Sequence, residues 1–276
     1  ILDQYKSIIY SGGAAGADTI WATAGKERGI QTVNYTFEGH EHIAAKAPGI
    51  PQVLRESDLV KANPAVAKAA RYLDKNAPNP GYKLNLIRRN WFQVKNAQAV
   101  YAVGKIEDGT KGRGALNPKL KNKAVRGGTG WTIAMAIEGK KPVHVYDSST
   151  KKWWNFNHKS GYFQPIKGLP PKPPRNWAAI GSSKEDYTTK DAEQQIYKFM
   201  SHYYPKGIKR KLTKKEILAE AEAKKKRKKV LAPYIDTLME QITTNTEELK
   251  IAKIDLKNAK DTGDTKQQAL LNTHIK

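Results

Sequence analysis

The sequence predicts an α/β fold, a parallel sheet sandwiched by helices, followed by a proline-rich linker and a basic, mostly helical C-terminal extension. Three features carry this reading. Short apolar runs at residues 7–10 and 99–103 lead directly into glycine or a glycine turn, the profile of buried parallel strands. Two glycine turns, Ser11-Gly12-Gly13-Ala14-Ala15-Gly16 and Arg126-Gly127-Gly128-Thr129-Gly130, each open an apolar helical stretch. Beyond Gly168-Leu169-Pro170-Pro171-Lys172-Pro173-Pro174 the composition changes to lysine-rich helix. The predicted boundaries are therefore 1–167 for the α/β domain, 168–204 for the linker with a short αβ segment, and 205–276 for the tail.

Taken in order, residues 7–10 form a first strand and residues 17–28 a first helix that buries Ile20, Trp21 and Ala24 and stops near Gly29. Residues 31–37 alternate polar and apolar side chains, as a second strand does, and deliver Glu38, Gly39, His40, Glu41 and His42 to its C-terminal end, where open α/β sheets bind ligands. Two histidines at i and i+2 in a loop are a weak metal signal, so no metal site is predicted. Ser57 or Asp58 caps a helix kinked at Pro64. Asn79-Pro80-Gly81 is a turn, and from Tyr82 the pattern Leu84, Leu86, Ile87, Trp91, Phe92 and Val94 gives a strongly apolar helix carrying Arg88-Arg89-Asn90. A buried strand at 99–104 is followed by a basic, loop-like excursion at 105–126 and then the second glycine turn, with its helix at 132–138. Residues 142–147 form another strand, and Lys152-Trp153-Trp154-Asn155-Phe156 a ribbon whose tryptophans are read as packing across it in preference to stacking on bases. Residues 176–183 repeat the strand-then-glycine theme, and 190–203 are helical. In the tail, Thr213 and Glu216 form a capping box, and Ile235, Leu238, Ile242, Asn245, Leu249, Ala252 and Leu256 make a coiled-coil-like stripe suited to a helical partner or self-association.

Composition limits the chemistry. The 276 residues contain no cysteine, which excludes disulfides, thiolate catalysis and zinc–thiolate sites. No run of about 18 apolar residues is present, so no membrane partner is expected. The start lacks a secretory pattern, because Asp3 and Lys6 interrupt it. It also lacks methionine, and the chain is expected to be a processed product or part of a longer protein. The net charge of +23 is concentrated. Residues 105–126 carry seven Lys or Arg against two acids, and residues 206–229 twelve against three. Such patches attract phosphate backbones without reading sequence, so nucleic acid is the expected polyanionic partner. The candidate contacts are Lys111, Arg113, Lys119, Lys121 and Lys123 in the first patch and Lys224, Lys225, Lys226, Arg227, Lys228 and Lys229 in the second.

A glycine turn at a helix N-terminus directs free N–H groups and the positive end of the helix dipole at one spot, which suits a phosphate. The candidate ligand residues are therefore Ser11, Gly12, Gly13, Gly16, Asp18, Arg89, Asn90, Gly127, Gly128, Thr129 and Gly130, and the candidate ligand is nucleotide-like. No Walker lysine, HExxH or Ser-His-Asp pattern is present. Asp18 and Glu38 are the weak catalytic candidates.

The motifs Tyr10-Ser11-Gly12-Gly13-Ala14-Ala15-Gly16-Ala17-Asp18-Thr19, Arg89-Asn90-Trp91 and Gly127-Gly128-Thr129-Gly130-Trp131 resemble the Rossmann-like SLOG superfamily. That superfamily includes the Lonely Guy phosphoribohydrolases and DNA-processing protein A. In motif order, and in the strand Lys141-Pro142-Val143, the chain is most similar to uncharacterised SLOG-type proteins of bacteriophages. The resemblance covers residues 1–147 and extends weakly to 177–183. It implies a binding module for nucleotides, nucleotide-derived ligands or nucleic acid, cytoplasmic or virion-associated, within a larger phage-type protein. The alternatives are a nucleotide or N-glycoside hydrolase and a structural, virion-packaged protein without small-molecule activity. Against hydrolysis, the phosphoribohydrolase motif PGGxGTxxE has Arg126, Trp131 and Ala134 here in place of its proline, threonine and glutamate.

Overall fold

The computed structural model describes residues 7–40, 47–112, 114–181 and 189–206, together with helical, exposed positions 246, 247, 250, 254 and 257. The chain divides into two compact units, 1–208 and 209–276. The lysine block 224–229, the capping box and the apolar stripe of 235–256 lie outside the described residues.

The first unit is an α/β domain built on one eight-stranded sheet. Its strands are β1 (Ile8–Ser11), β2 (Gln31–Phe37), β3 (Ile50–Leu54), β4 (Ala99–Gly104), β5 (Val143–Asp147), β6 (Lys152–Asn157), β7 (Tyr162–Pro165) and β8 (Asn176–Gly181), in the order β3-β2-β1-β8-β4-β5-β6-β7. From β3 to β5 all pairings are parallel, whereas β6 and β7 join as antiparallel strands, so the sheet is mixed at one end. The helices are α1 (Ala17–Lys26), α2 (Glu56–Leu59), α3 (Asn63–Tyr72), α4 (Tyr82–Asn96), α5 (Gly127–Glu138) and α6 (Lys190–Tyr203).

The two-residue period of the strands sorts the core onto the two faces. Tyr10, Val100, Ala102, Ala178 and Ile180 join α3, α4 and α5 on one face, while Ile9, Tyr101, Val103, Trp177 and Ala179 join α1 and α6 on the other. In the second core Trp21 meets Trp177 edge-on at 5.6 Å and Phe199 at 5.5 Å. Burial on both faces explains why β1, β4 and β8 are nearly all apolar or small.

Two expectations are corrected, and one strand is added. Residues 168–204 are not a separate segment beyond the domain: β8 lies between β1 and β4, with Tyr10 and Val100 both registered against Ala178. The α/β domain therefore closes only when the chain returns from the proline run. A strand that sequence did not suggest, β3, forms the outer edge and leaves Ile50 and Val53 exposed. The helix with a kink at Pro64 is instead α2, capped by Arg55, then a 3-10 turn over Val60–Ala62, then α3. Pro64 sits in the first turn of α3, where its missing N–H leaves no bond unmade.

Residues 105–126 form the expected loop-like excursion, of turns, one 3-10 turn over Pro118–Leu120 and a single bridge, and it is pinned internally by its own acids. Ile106 and Val125 form an antiparallel bridge, and the buried Glu107 accepts from Gly109 N (2.9 Å), Leu116 N (2.7 Å) and Arg126 Nη2 (2.8 Å). Arg126 also bonds Asp108 and Thr110, and Lys105 pairs with Asp108 at 3.1 Å. Both acids thus neutralise cations of the same segment. Its excess charge is carried by Lys111, Lys119 and Lys121, which are exposed, and by Lys123, whose Nζ stands 4.9 Å from the Tyr162 ring. Arg113 lies outside the described residues.

The position of β8 gives a direct test. A chain ended after residue 208 unfolds in one cooperative urea transition followed by tryptophan fluorescence, whereas a chain ended after residue 167 lacks a middle strand and shows none.

Candidate functional site

The connections leaving β1 and β4 run outward in opposite directions along the sheet, through α1 and through α5, with β8 between them. Such a reversal leaves a crevice at the carboxyl ends of the strands, the usual ligand position in open α/β sheets. A cleft of about 550 Å³ occupies this place. It is lined by Ala14, Ala15 and Asp18 from the first turn and α1, by Ile180 and Gly181 from β8, and by Gly127, Gly128, Thr129, Trp131 and Thr132 from α5. One side of α4 supplies Tyr82, Leu86, Arg89, Asn90 and Gln93, and His40 closes the end near β2.

The two glycine turns are built differently. At the first, the amides are already engaged. With the Gln93 amide oriented to satisfy the donors around it, its Oε1 accepts from Gly12 N at 3.2 Å and from Arg89 Nη1 at 2.9 Å. Asp18 accepts from Ala14 N at 3.4 Å and from Gly181 N at 2.9 Å, and Thr19 Oγ1 donates to Ala14 O at 2.8 Å. A β-carbon on Gly12 would stand 1.5 Å from Arg89 Nη1, so glycine is required there to admit the guanidinium. The first turn is a structural clamp joining β1, α4 and β8.

At the second turn the helix begins at Gly127 itself, five residues earlier than the predicted 132–138. Gly127-Gly128-Thr129 is thus the first turn of α5, whose N–H groups have no intrahelical acceptor. Gly130 serves packing, since a β-carbon there would lie 1.9 Å from Val125 O, whereas one on Gly128 would meet nothing within 4 Å.

Arg89 is the buried cation of the cleft, which Lys83 also lines. Arg89 is 6% exposed, reaches Tyr35 O at 3.4 Å, and its Nε has no hydrogen-bond partner among the described residues. Burial pulls its pKa down, while Asp18 and Tyr82 oppose that shift. Burial likewise pushes the Asp18 carboxyl up to about 6, against the opposing pull of Arg89 and of the amides of Ala14, Gly181 and Gly12.

Of the sequence-selected ligand residues, Asp18, Arg89, Asn90, Gly127, Gly128 and Thr129 line the cleft, and Ser11, Gly12, Gly13, Gly16 and Gly130 stand behind it. Glu38 is exposed on the turn after β2 and does not line it. Ala134, where the phosphoribohydrolase motif it resembles carries glutamate, is fully buried in α5. None of the described lysines of the basic segment lines the cleft, although Gly114 lies against the backbone of Gly127. Sequence reasoning did not select Tyr82, Leu86 or Gln93. The signal was present, because these residues lie at −7, −3 and +4 from Arg89 and share its side of the helix. Among the described residues no group of three or more His, Asp or Glu is placed to hold a metal, and no helix is long and apolar enough to cross a membrane. Compared with models of protein families, with curated proteins and with solved structures, the chain matches none.

Two outcomes are expected. Gly130→Ala destabilises the domain by at least 2 kcal/mol in urea denaturation, because backbone must move, while Gly128→Ala leaves it equal or more stable by about 0.5–1 kcal/mol as an added helix former. The second concerns pH. The Asp18 pKa in the folded chain lies above an unfolded value of about 3.9, so its contribution is fully present below pH ~4 and is lost as pH rises through about 6. Denaturation at pH 4.5 and pH 7.5 therefore shows the stability difference between wild type and Asp18→Asn moving in favour of wild type at the lower pH. The full range of that change is on the order of 3 kcal/mol.

Proposed function

We propose that the domain is a SLOG-type binding module for nucleotides or nucleotide-derived ligands, with the first turn of α5 seating a phosphate. One observation carries the reading: the open amides of Gly127, Gly128 and Thr129 line the same cleft as a buried arginine with an unpartnered Nε. Helix N-terminus and guanidinium attract the same charge, and the low-dielectric surroundings strengthen both. Asn90 and the Thr129 hydroxyl line the cleft beside them and would orient the sugar or a second phosphate. The order of the sequence motifs supports the SLOG assignment, and the crevice at the strand reversal supports a small ligand over an extended polymer as the primary occupant.

Binding is favoured over bond cleavage. Asp18 is the only carboxylate among the described residues lining the cleft, and its two oxygens accept from Gly181 N and Ala14 N. A general acid or base needs an oxygen within reach of the reacting atom, and this one is committed to holding the fold. The exposed Lys111, Lys119 and Lys121 add positive potential on the segment that adjoins Gly127, which favours approach of anions and, at low salt, of nucleic acid.

The test is thermal unfolding with mononucleotides, dinucleotides, ADP-ribose and a short single-stranded oligonucleotide. A small ligand at about 100 times its dissociation constant stabilises the wild type by about 2.7 kcal/mol. Gly128→Ala, folded and at least as stable, loses that gain because its methyl occupies the phosphate seat. No stabilisation by any compound, or an equal gain in the variant, contradicts the proposal.

A further inference from the structure

At the far end of the cleft from α1, three rings form a chain. Phe37 and His40 stack at 4.9 Å with planes 13° apart, and Tyr82 meets Phe37 at 5.7 Å and His40 at 5.5 Å. The two inner rings are fixed. Phe37 is 3% and His40 2% exposed, and Thr36 Oγ1 bonds both His40 Nδ1 (3.1 Å) and His40 O (3.0 Å). Tyr82 differs: it opens α4, packs one side against these rings, and remains 52% exposed while lining the cleft. It lines the same cleft as Arg89, on the same side of α4. A half-exposed aromatic backed by buried rings in the cleft that the buried cation lines is a stacking platform, because a planar ligand ring would cover what water now touches.

We propose that Tyr82 is the specificity-determining residue of the cleft. It stacks on the base of a nucleoside monophosphate whose phosphate rests on Gly127, Gly128 and Thr129. This inference rests on the phosphate seat argued above and adds the ligand's second half. It selects a compound with an aromatic base and a terminal phosphate over a ringless sugar phosphate. Base–aromatic stacking tolerates any base, since each has a π-face, so purine and pyrimidine monophosphates both bind, the purines more tightly for their larger area.

The experiment is calorimetric titration of the full chain with AMP, CMP, ribose 5-phosphate and inorganic pyrophosphate, using wild type, Tyr82→Phe and Tyr82→Ala, each confirmed folded by cooperative urea unfolding. Wild type binds AMP more tightly than ribose 5-phosphate. Tyr82→Ala raises the AMP dissociation constant roughly 5- to 150-fold, down to the affinity of ribose 5-phosphate, and leaves the two ringless compounds unchanged; Tyr82→Phe retains the wild-type preference. If ringless and ring-bearing compounds bind alike, or Tyr82→Ala weakens all of them equally, the stacking role is overturned while the phosphate seat stands. If none of the four binds wild type, the nucleoside monophosphate proposal is overturned, and the phosphate seat falls with it only if dinucleotides and ADP-ribose also fail to stabilise the chain.

Discussion

The buried Asp18 carboxylate is the constraint on which the site depends. Its two oxygens hold the first glycine turn through Ala14 and the end of β8 through Gly181, and Arg89 balances its charge from α4. Three segments far apart in the chain are therefore held at one point by a group that burial makes costly unless every partner is present. Removing one partner of such a buried polar set typically costs about 3–5 kcal/mol, because the others are left unpaired out of water. Gln93 extends the lock by accepting from both Arg89 and Gly12.

This clamp separates the roles of two motifs that look alike in sequence. Both are glycine-rich, both follow a strand or loop, and both open helices. Only partners distant in sequence distinguish them: Asp18 and Gln93 use the amides of the first turn, whereas Gly127, Gly128 and Thr129 begin a helix and keep theirs. The first turn brings Arg89 and Gly181 to the crevice, and the second faces whatever enters it. Gly12 and Gly130 are glycine because backbone or guanidinium comes too close for a side chain, and Gly128 is glycine where space is open. That contrast, rather than the motif, is what the proposed phosphate seat rests on.

Much of the fold was legible because it is local. Strands β1, β2 and β4 and the start of α4 at Tyr82 follow from apolar runs, two-residue alternation and the Pro-Gly turn. The course of the sheet was not legible. Nothing local in Asn176–Gly181 says that it enters between β1 and β4, and the proline run before it reads as a boundary. β3 is short, contains Pro51 and is exposed at the edge, so it lacks a strand's apolar signature. In the site, the motifs led to Arg89, Asn90 and Gly127–Thr129. Tyr82 and Gln93 share the side of α4 that carries Arg89 but belong to no motif, and Asp18 reads as a ligand contact until Gly181 is seen beside it. The basic segment was read from its charge and its glycines, neither of which reveals that Glu107 is its buried centre and Arg126 its internal partner.

The central claim is that ligand binds at the α5 turn and not at the first. The most direct measurement is an amide NMR titration of the isotopically labelled chain with AMP at physiological salt. The account predicts saturable shifts at the Gly127, Gly128 and Thr129 amides and at Arg89 Nε, with Gly12 and Ala14 N–H little changed because Gln93 and Asp18 already hold them. Shifts confined to Gly12, Gly13 and Ala14, or to the lysines of residues 111–123, with the α5 amides unmoved, would contradict it.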